Sequence, residues 1–315
     1  MDKITKISVG VDVSKDSLSV CFHQTGKVFE IRNSAKGIDN LIEELSEFSV
    51  DKIVLEASGG FEERVMIALE VAGYNCWRVD PRMIKGFVAS EGCRAKTDEI
   101  DAKMIALFAY KKEQKNKQNF ASEQSRKLQA FFRRKQEIKD MIVMEKLRLG
   151  KPTQKHFQKQ VSKVINFLEQ EVKILDEEIS MQIEQNEKFA KQRKIIESVP
   201  GVGRESAIAV IAEMPELGKI KNKEAAALLG VAPYNKESGK YKGKAKIKDG
   251  REGPRKVLFM AALTACRFNP DFKIFYNRLI AAGKPPKVAI VGVMRKIVEL
   301  INVLLKEERM WVAYN

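Results

Sequence analysis

The sequence predicts an α/β domain over 1–115, a long helical segment over 116–192 and a mainly α-helical domain over 193–315. Three observations carry this division. In the first hundred residues, short alternating apolar runs interleave with amphipathic helical stretches, the pattern of a mixed sheet packed with helices. From about 121 to 190 glycine and proline nearly vanish, apart from "GKP" at 150–152. Beyond 193 the chain is rich in small apolar residues at helical spacing, with one long glycine- and lysine-containing loop at roughly 233–254.

Taken in order, "ISVGVDVS" alternates apolar residues and reads as a strand. "SLSVCFHQ" and "KVFEIRN" follow at hairpin distance. "GIDNLIEELSEF" has helical spacing, and "KIVLEASGG" is a short buried strand that ends in glycines. "EERVMIALEVAG" is a helix, "NCWRVD" a strand, and "PRMIKGFVAS" a helix opened by Pro81. "TDEIDAKMIALFAYKK" is the last helix of the domain, with Thr97 as its N-cap. In the next segment Val161, Ile165, Leu168, Val172, Leu175 and Ile179 step by four and three. That heptad spacing predicts two long helices broken near Pro152. They form an antiparallel hairpin, a dimerising coiled coil, or a helical linker packed on its own domains.

Charge is distributed unevenly. The 315-residue chain has a formal net charge of +15, yet residues 1–110 hold 14 Lys/Arg against 18 Asp/Glu. The remainder carries 43 basic and 24 acidic residues, a net of +19. One part can host cations, and the rest attracts a polyanion. Nucleic acid is the natural candidate, because basic side chains displace counterions condensed on phosphates. No apolar run suits a bilayer: "KVAIVGVMRKIVELINVLL" is interrupted by Arg295, Lys296 and Glu299. The N-terminus lacks a signal-peptide pattern, and Cys21, Cys76, Cys93 and Cys266 are scattered without metal-ligand spacing. The expectation is a cytoplasmic, nucleoid-associated bacterial or archaeal protein with free thiols and no membrane partner.

The acidic side chains concentrate at "KTDEIDA" (96–102). Asp98 and Asp101 are three apart on a helix, so they share a face. Asp12 stands in "GVDVSKD" on the first strand, and Glu56 ends the fourth strand in "IVLEASGG". Four carboxylates brought together repel unless a cation neutralises them. Oxygen-only ligands select Mg²⁺ or Mn²⁺. Paired ions of that kind stabilise both oxygens of an in-line phosphoryl displacement. Singly, each of these acids is also explained as a helix cap or a solvated strand end.

The order Asp, Glu, Asp, Asp along these elements resembles the ribonuclease-H-like (RuvC-like) fold of Holliday-junction resolvases. More closely, "GVDVSKDSLSV", "EASGGFEE" and "KTDEIDAKMIALFA" are similar to the DEDD signature of the one-ten family of insertion-sequence transposases. The resemblance implies that Asp12, Glu56, Asp98 and Asp101 are the catalytic metal ligands and that Glu99 is an exposed bystander. It also implies a homo-oligomer, dimer or tetramer, acting on element ends and target DNA. An element-encoded noncoding (bridge) RNA would pair with both DNAs. One departure is that Glu99-Ile100 stand where a basic residue is common in the family.

"SVPGVGRESAIAVIAEM" resembles a helix-hairpin-helix element, in which Gly201 and Gly203 would let backbone N–H groups face a phosphate. A helix-helix turn inside an all-helical domain is the alternative. Between 236 and 256 nine Lys/Arg face three Asp/Glu, with Tyr234 and Tyr241 beside them. Such a loop suits backbone contacts and base stacking. The candidate phosphate contacts are Lys240, Lys242, Lys244, Lys246, Lys248, Arg251, Arg255 and Lys256. "GVAPYNKESGKYKGKAKIKDGREGPRK" is similar to the family's C-terminal motif, which makes Ser238 the implied nucleophile. "GREGPRK" departs from a more arginine-rich version. Neither His23 nor His156 stands near Ser238 in sequence to activate it. Two other readings stay open: a metal-dependent junction endonuclease without a covalent intermediate, and a non-catalytic nucleic-acid-binding protein. Tyr241 also stays open as a competing nucleophile.

Overall fold

A computed structural model describes residues 6–93, 97–114, 122–150, 156–235, 237–238, 241–243 and 245–312. The chain divides into two compact units, Met1–Phe120 and Ala121–Asn315.

The first unit is built on a five-stranded sheet of order β3-β2-β1-β4-β5. Its strands are β1 (Ile7–Val13), β2 (Ser17–Phe22), β3 (Val28–Arg32), β4 (Val50–Glu56) and β5 (Cys76–Val79). The first three form antiparallel hairpins, while β4 and β5 run parallel to β1. Only β2 opposes the rest, which is the topology of the ribonuclease-H-like fold. Helices α1 (Ala35–Ser46) and α2 (Glu63–Val71) cover one face, where Val9, Val11, Ile53 and Leu55 meet Ile38, Leu41 and Leu69. Helices α3 (Pro81–Ser90) and α4 (Asp98–Lys111) cover the other. Side-chain caps start three of these helices, Thr97 at the predicted place. Ser34 accepts from the Gly37 N–H, Asp80 from Arg82 ahead of Pro81, and Thr97 from Ile100.

In the second unit α5 (Glu123–Leu149) and α6 (Gln158–Glu184) pair along their length. They run antiparallel: Lys146 meets Glu169 near one end, Lys135 meets Asp176 midway, and Gln124 meets Asn186 at the other. The heptad residues Val161, Ile165, Leu168, Val172 and Leu175 pack against Ile138, Ile142 and Leu149. Thus the predicted stripe is covered within the chain, as a hairpin. Its base is not a separate body. Leu128, Phe132, Ile179 and Ile183 enter one core with α7 (Glu187–Glu197), α8 (Arg204–Glu213), α9 (Asn222–Leu229), α10 (Glu252–Phe268), α11 (Pro270–Ala281) and α12 (Pro286–Glu307).

The region read from sequence as a long loop contains short strands. β6 (Pro233–Tyr234) pairs with β9 (Lys246–Ile247), and β7 (Glu237–Ser238) pairs with β8 (Tyr241–Lys242). Two glycines close the base of this ribbon. A Cβ on Gly250 would lie 2.3 Å from the Gly230 amide nitrogen, so neither chain could approach with a side chain there. The four cysteines are free, and no helix among the described residues is long and apolar enough to cross a membrane.

Candidate active site

The four predicted acids reach one end and one face of the first sheet. Val11 of β1 is in register with Leu55 of β4, so the next residues, Asp12 and Glu56, are neighbours at the C-terminal ends of parallel strands. Strand alternation sets their face. Val9, Val11 and Val13 point into the core beneath α1 and α2, so Gly10 and Asp12 point to the α4 side. By the same alternation Glu56 shares the side of Val54, which packs under α3 and α4.

Helix α4 crosses that face antiparallel to both strands. Its C-terminal end is fixed by Lys52 Nζ, at the start of β4, donating to the Lys112 carbonyl at 2.8 Å. Its middle rests on Gly10: a Cβ there would lie 2.2 Å from the Ala106 nitrogen and 2.7 Å from the Ala102 oxygen. From this contact Asp12 lies about 7 Å along the strand. Asp101 lies about 7.5 Å back along the helix, toward the same end. Asp98 is one turn further on. Asp12, Glu56 and Asp101 are half-buried and Asp98 is exposed. Glu99 points away and pairs with Lys103 at 2.6 Å. Among the described residues, no three Asp, Glu, His or Cys groups stand close enough together to hold a metal ion as they are.

In the second unit, Ser238 pairs with Tyr241 across β7 and β8, at the far end of the ribbon from Gly230 and Gly250. Lys240 and Lys244 lie outside the described residues, and for Lys242 and Tyr241 only the strand position is described. Lys246 and Lys248 are exposed, and the Lys248 ammonium sits 5.3 Å from the Tyr234 ring centre.

Two family models match this chain: a DEDD-type IS110 transposase over residues 9–158, and the transposase IS116/IS110/IS902 family over 193–277. The chain belongs to the IS110 transposase family. It is a DNA transposase/recombinase. It is 22% identical over 316 residues to the pilin gene-inverting proteins of Moraxella lacunata and Moraxella bovis, covering 97% of this chain and 98% of each relative. Among solved structures, it is similar to T. thermophilus RuvC in complex with a Holliday junction substrate. That likeness has a TM-score of 0.26 and 13% identity, covering 33% of this chain and 91% of that one.

Within the transposase's C-terminal half, several predicted phosphate contacts already have protein partners. Arg251 grips Glu216 with two bonds, at 2.6 and 2.7 Å, and also donates to the Glu213 carbonyl. That makes it a brace between α10 and the end of α8. Arg255 donates to the Asp249 carbonyl, and Lys256 pairs with Glu252 at 3.0 Å while remaining exposed. Gly201, at φ +92, has an internal reason to be glycine: a Cβ would lie 2.5 Å from the Ala265 Cα of α10. Gly203 caps the start of α8, is exposed and has open space beside its Cα. His23 stacks on Tyr110 at 4.6 Å and accompanies Ser8, at the opposite end of the sheet from the acids. Burial, with Lys111 adding to it, holds its imidazole below the usual histidine range. His156 is exposed before α6. His23 does not belong to the carboxylate end.

Three residues around the acids were not singled out from sequence. Gly10 had a signal, since a glycine inside an alternating strand often marks close backbone approach. Asn33 had none, because its role depends on loops distant in sequence, whereas the loop partners of Glu62 are only two and four residues away, within "EASGGFEE".

Proposed function

We propose that this transposase cuts and rejoins DNA through a serine-linked intermediate, using Ser238 together with divalent metal at Asp12, Glu56, Asp98 and Asp101. The observation that supports the proposal is that Asp12 and Glu56 end adjacent parallel strands on the face crossed by α4, whose first turn carries Asp98 and Asp101. The donor set fits the metal: carboxylate oxygens are the hard ligands Mg²⁺ and Mn²⁺ take. When bound, such an ion polarises a phosphodiester and neutralises the charge that develops on it. Asp12 and Glu56 would hold it from the strands, Asp98 and Asp101 from the first turn of α4.

Ser238 Oγ would attack phosphorus as the bond to the leaving nucleotide oxygen breaks. The serine proton would depart, and the freed DNA hydroxyl would gain one. The phosphoserine ester conserves bond energy, so a second DNA end can be joined without ATP. Lys242, Lys246, Lys248 and Lys256 would contact the DNA backbone, joined by Lys240 and Lys244. Arg251 and Arg255 would shape the loop base. The charge of the C-terminal half suits the element-encoded guide RNA as well as DNA. A second copy of the chain is the proposed cover for a stripe on α6. There Phe157, Val164, Phe167, Ile174 and Met181, spaced by sevens and one three, are exposed beside the buried seam.

The test mixes protein, Mg²⁺, guide RNA and labelled element-junction DNA, followed by denaturing gels. A protein–DNA adduct should form, persist in Tyr241→Phe, and disappear in Ser238→Ala and Asp98→Ala. Cleavage without an adduct, unchanged by Ser238→Ala, would instead establish the carboxylates as a nuclease centre acting alone.

A further inference from the structure

The acids on β1 and β4 stand where two loops leave the sheet, so whatever fixes those loops fixes the acids. Past Asp12, the β1–β2 turn is closed by the Ser14 hydroxyl, which accepts from the Ser17 and Asp16 amides. Asn33, between β3 and α1, then takes hold of this turn. Its backbone N–H donates to the Asp16 carbonyl at 2.9 Å, and its side-chain amide donates to the Ser14 carbonyl at 3.0 Å. The second hydrogen of the same amide nitrogen goes to the Phe61 carbonyl at 3.1 Å, in the loop after Glu56. One side chain therefore ties together the exits of both acid-bearing strands.

That second loop has little stiffness of its own. It contains Gly59 at φ +78 and Gly60 at φ +112, each with open space around its Cα. What shapes it is Glu62, at the head of α2, whose side chain is 3% exposed. Its Oε2 accepts from the Ser58 amide at 3.0 Å, the Ser58 hydroxyl at 3.0 Å and the Gly60 amide at 2.9 Å. Its Oε1 faces Arg78 of β5 at 3.5 Å. Burial alone would raise the carboxyl's pKa, but these hydrogen bonds outweigh it and keep Glu62 ionised. A buried carboxylate with Oε2 taken by one loop's donors and Oε1 facing Arg78 is turned toward the protein rather than toward a ligand. It serves as the template around which the loop folds.

We propose that Asn33 and Glu62 are positioning residues that set the spacing of Asp12 and Glu56, and through it the affinity of the carboxylate end for Mg²⁺ or Mn²⁺. The proposal rests on the metal reading of that site. Partners that hydrogen-bond a metal ligand directly commonly account for about 10–100-fold in metal affinity, and a brace that acts through the loop backbone belongs at the low end of that range. Asn33 is half-buried at a loop junction, so Asn33→Ala removes the tie with little risk to folding. Glu62→Gln keeps the shape but sets an amide against the loop donors, and Glu62→Asp partly restores the carboxylate.

The measurement is Mn²⁺ binding to the full chain by electron paramagnetic resonance, with thermal unfolding without metal alongside. Expected is a tenfold or greater weakening in Asn33→Ala and Glu62→Gln, partial recovery in Glu62→Asp, and DNA cleavage rescued by raising Mn²⁺. If wild type binds Mn²⁺ and Asn33→Ala binds it equally, the brace is overturned and the metal reading stands. Lost activity that excess Mn²⁺ fails to restore, in a variant that still melts like wild type, also overturns it. If wild type and Asp98→Ala bind no Mn²⁺ at all, the metal reading itself fails.

Discussion

Replacing Gly10 by alanine tests how α4 places Asp98 and Asp101. The added Cβ would lie 2.2 Å from the Ala106 nitrogen, 2.7 Å from the Ala102 oxygen and 2.7 Å from the Ala106 Cα. Ordinary contacts of carbon with such atoms are about 3.5 Å, so the helix must lift by roughly 1 Å. Overpacking of this kind costs about 1–3 kcal/mol. For a unit of this size that lowers Tm by about 5–10 °C. The lift also carries the two helix acids away from Asp12 and Glu56, and a misplacement of about 1 Å can lower a rate on the order of 10²-fold. The assays are thermal unfolding and the rate of adduct formation below the melting range. Because every clashing atom is backbone, adding Ala106→Gly should not rescue Gly10→Ala. Wild-type rate and Tm in Gly10→Ala, or full rescue by Ala106→Gly, would refute the argument that backbone contact sets the helix height.

Two further outcomes follow from other charged and aromatic groups. Lys135 is fully buried between α5, α6 and α8, donating to Asp176 and, at 2.8 and 2.9 Å, to Glu205. Lys135→Met leaves those two acids facing each other. Since both are close to half exposed, the cost should fall below the usual penalty for breaking a buried pair, at about 2 kcal/mol in urea unfolding, and Glu205→Gln should recover part of it. His23 titrates below its ordinary value in the fold, so the unfolded chain binds a proton first as pH falls. Stability from this group is therefore full above about pH 6.5 and declines below it, and His23→Phe should flatten that slope in melts across pH 5–7.

The first unit was legible because its signals are local and agree with one another. Pro81 opens α3 and Thr97 caps α4 at the predicted places, and the alternation in "ISVGVDVS" fixes which face Asp12 takes. The helical segment was legible as helices but not as to its partner. A heptad stripe states that something covers it, and Ile138 and Ile142 supply the cover only through packing across a turn. The ribbon around Ser238 was read as loop because its strands are two residues long, too short to show alternation. Arg251 was read as a phosphate contact because charge is visible in sequence and a bidentate partner 35 residues away is not.

Acids in a first helical turn have a sufficient local reason to exist, since Thr97 and the helix dipole both favour them there. Local stability therefore cannot distinguish a capped helix from a catalytic one. The distinction lies in features that helix stability does not require. A capped helix needs no glycine beneath its middle, yet Gly10 lets α4 sit with backbone against backbone. It needs no acid on the neighbouring strand ends, yet Asp12 and Glu56 follow the paired Val11 and Leu55 on the same side. Nor does it need the exits of those strands tied by one amide, as Asn33 ties them. Each of these restricts a position at some cost to local freedom. Together they restrict how the strand ends that carry Asp12 and Glu56 sit beneath α4.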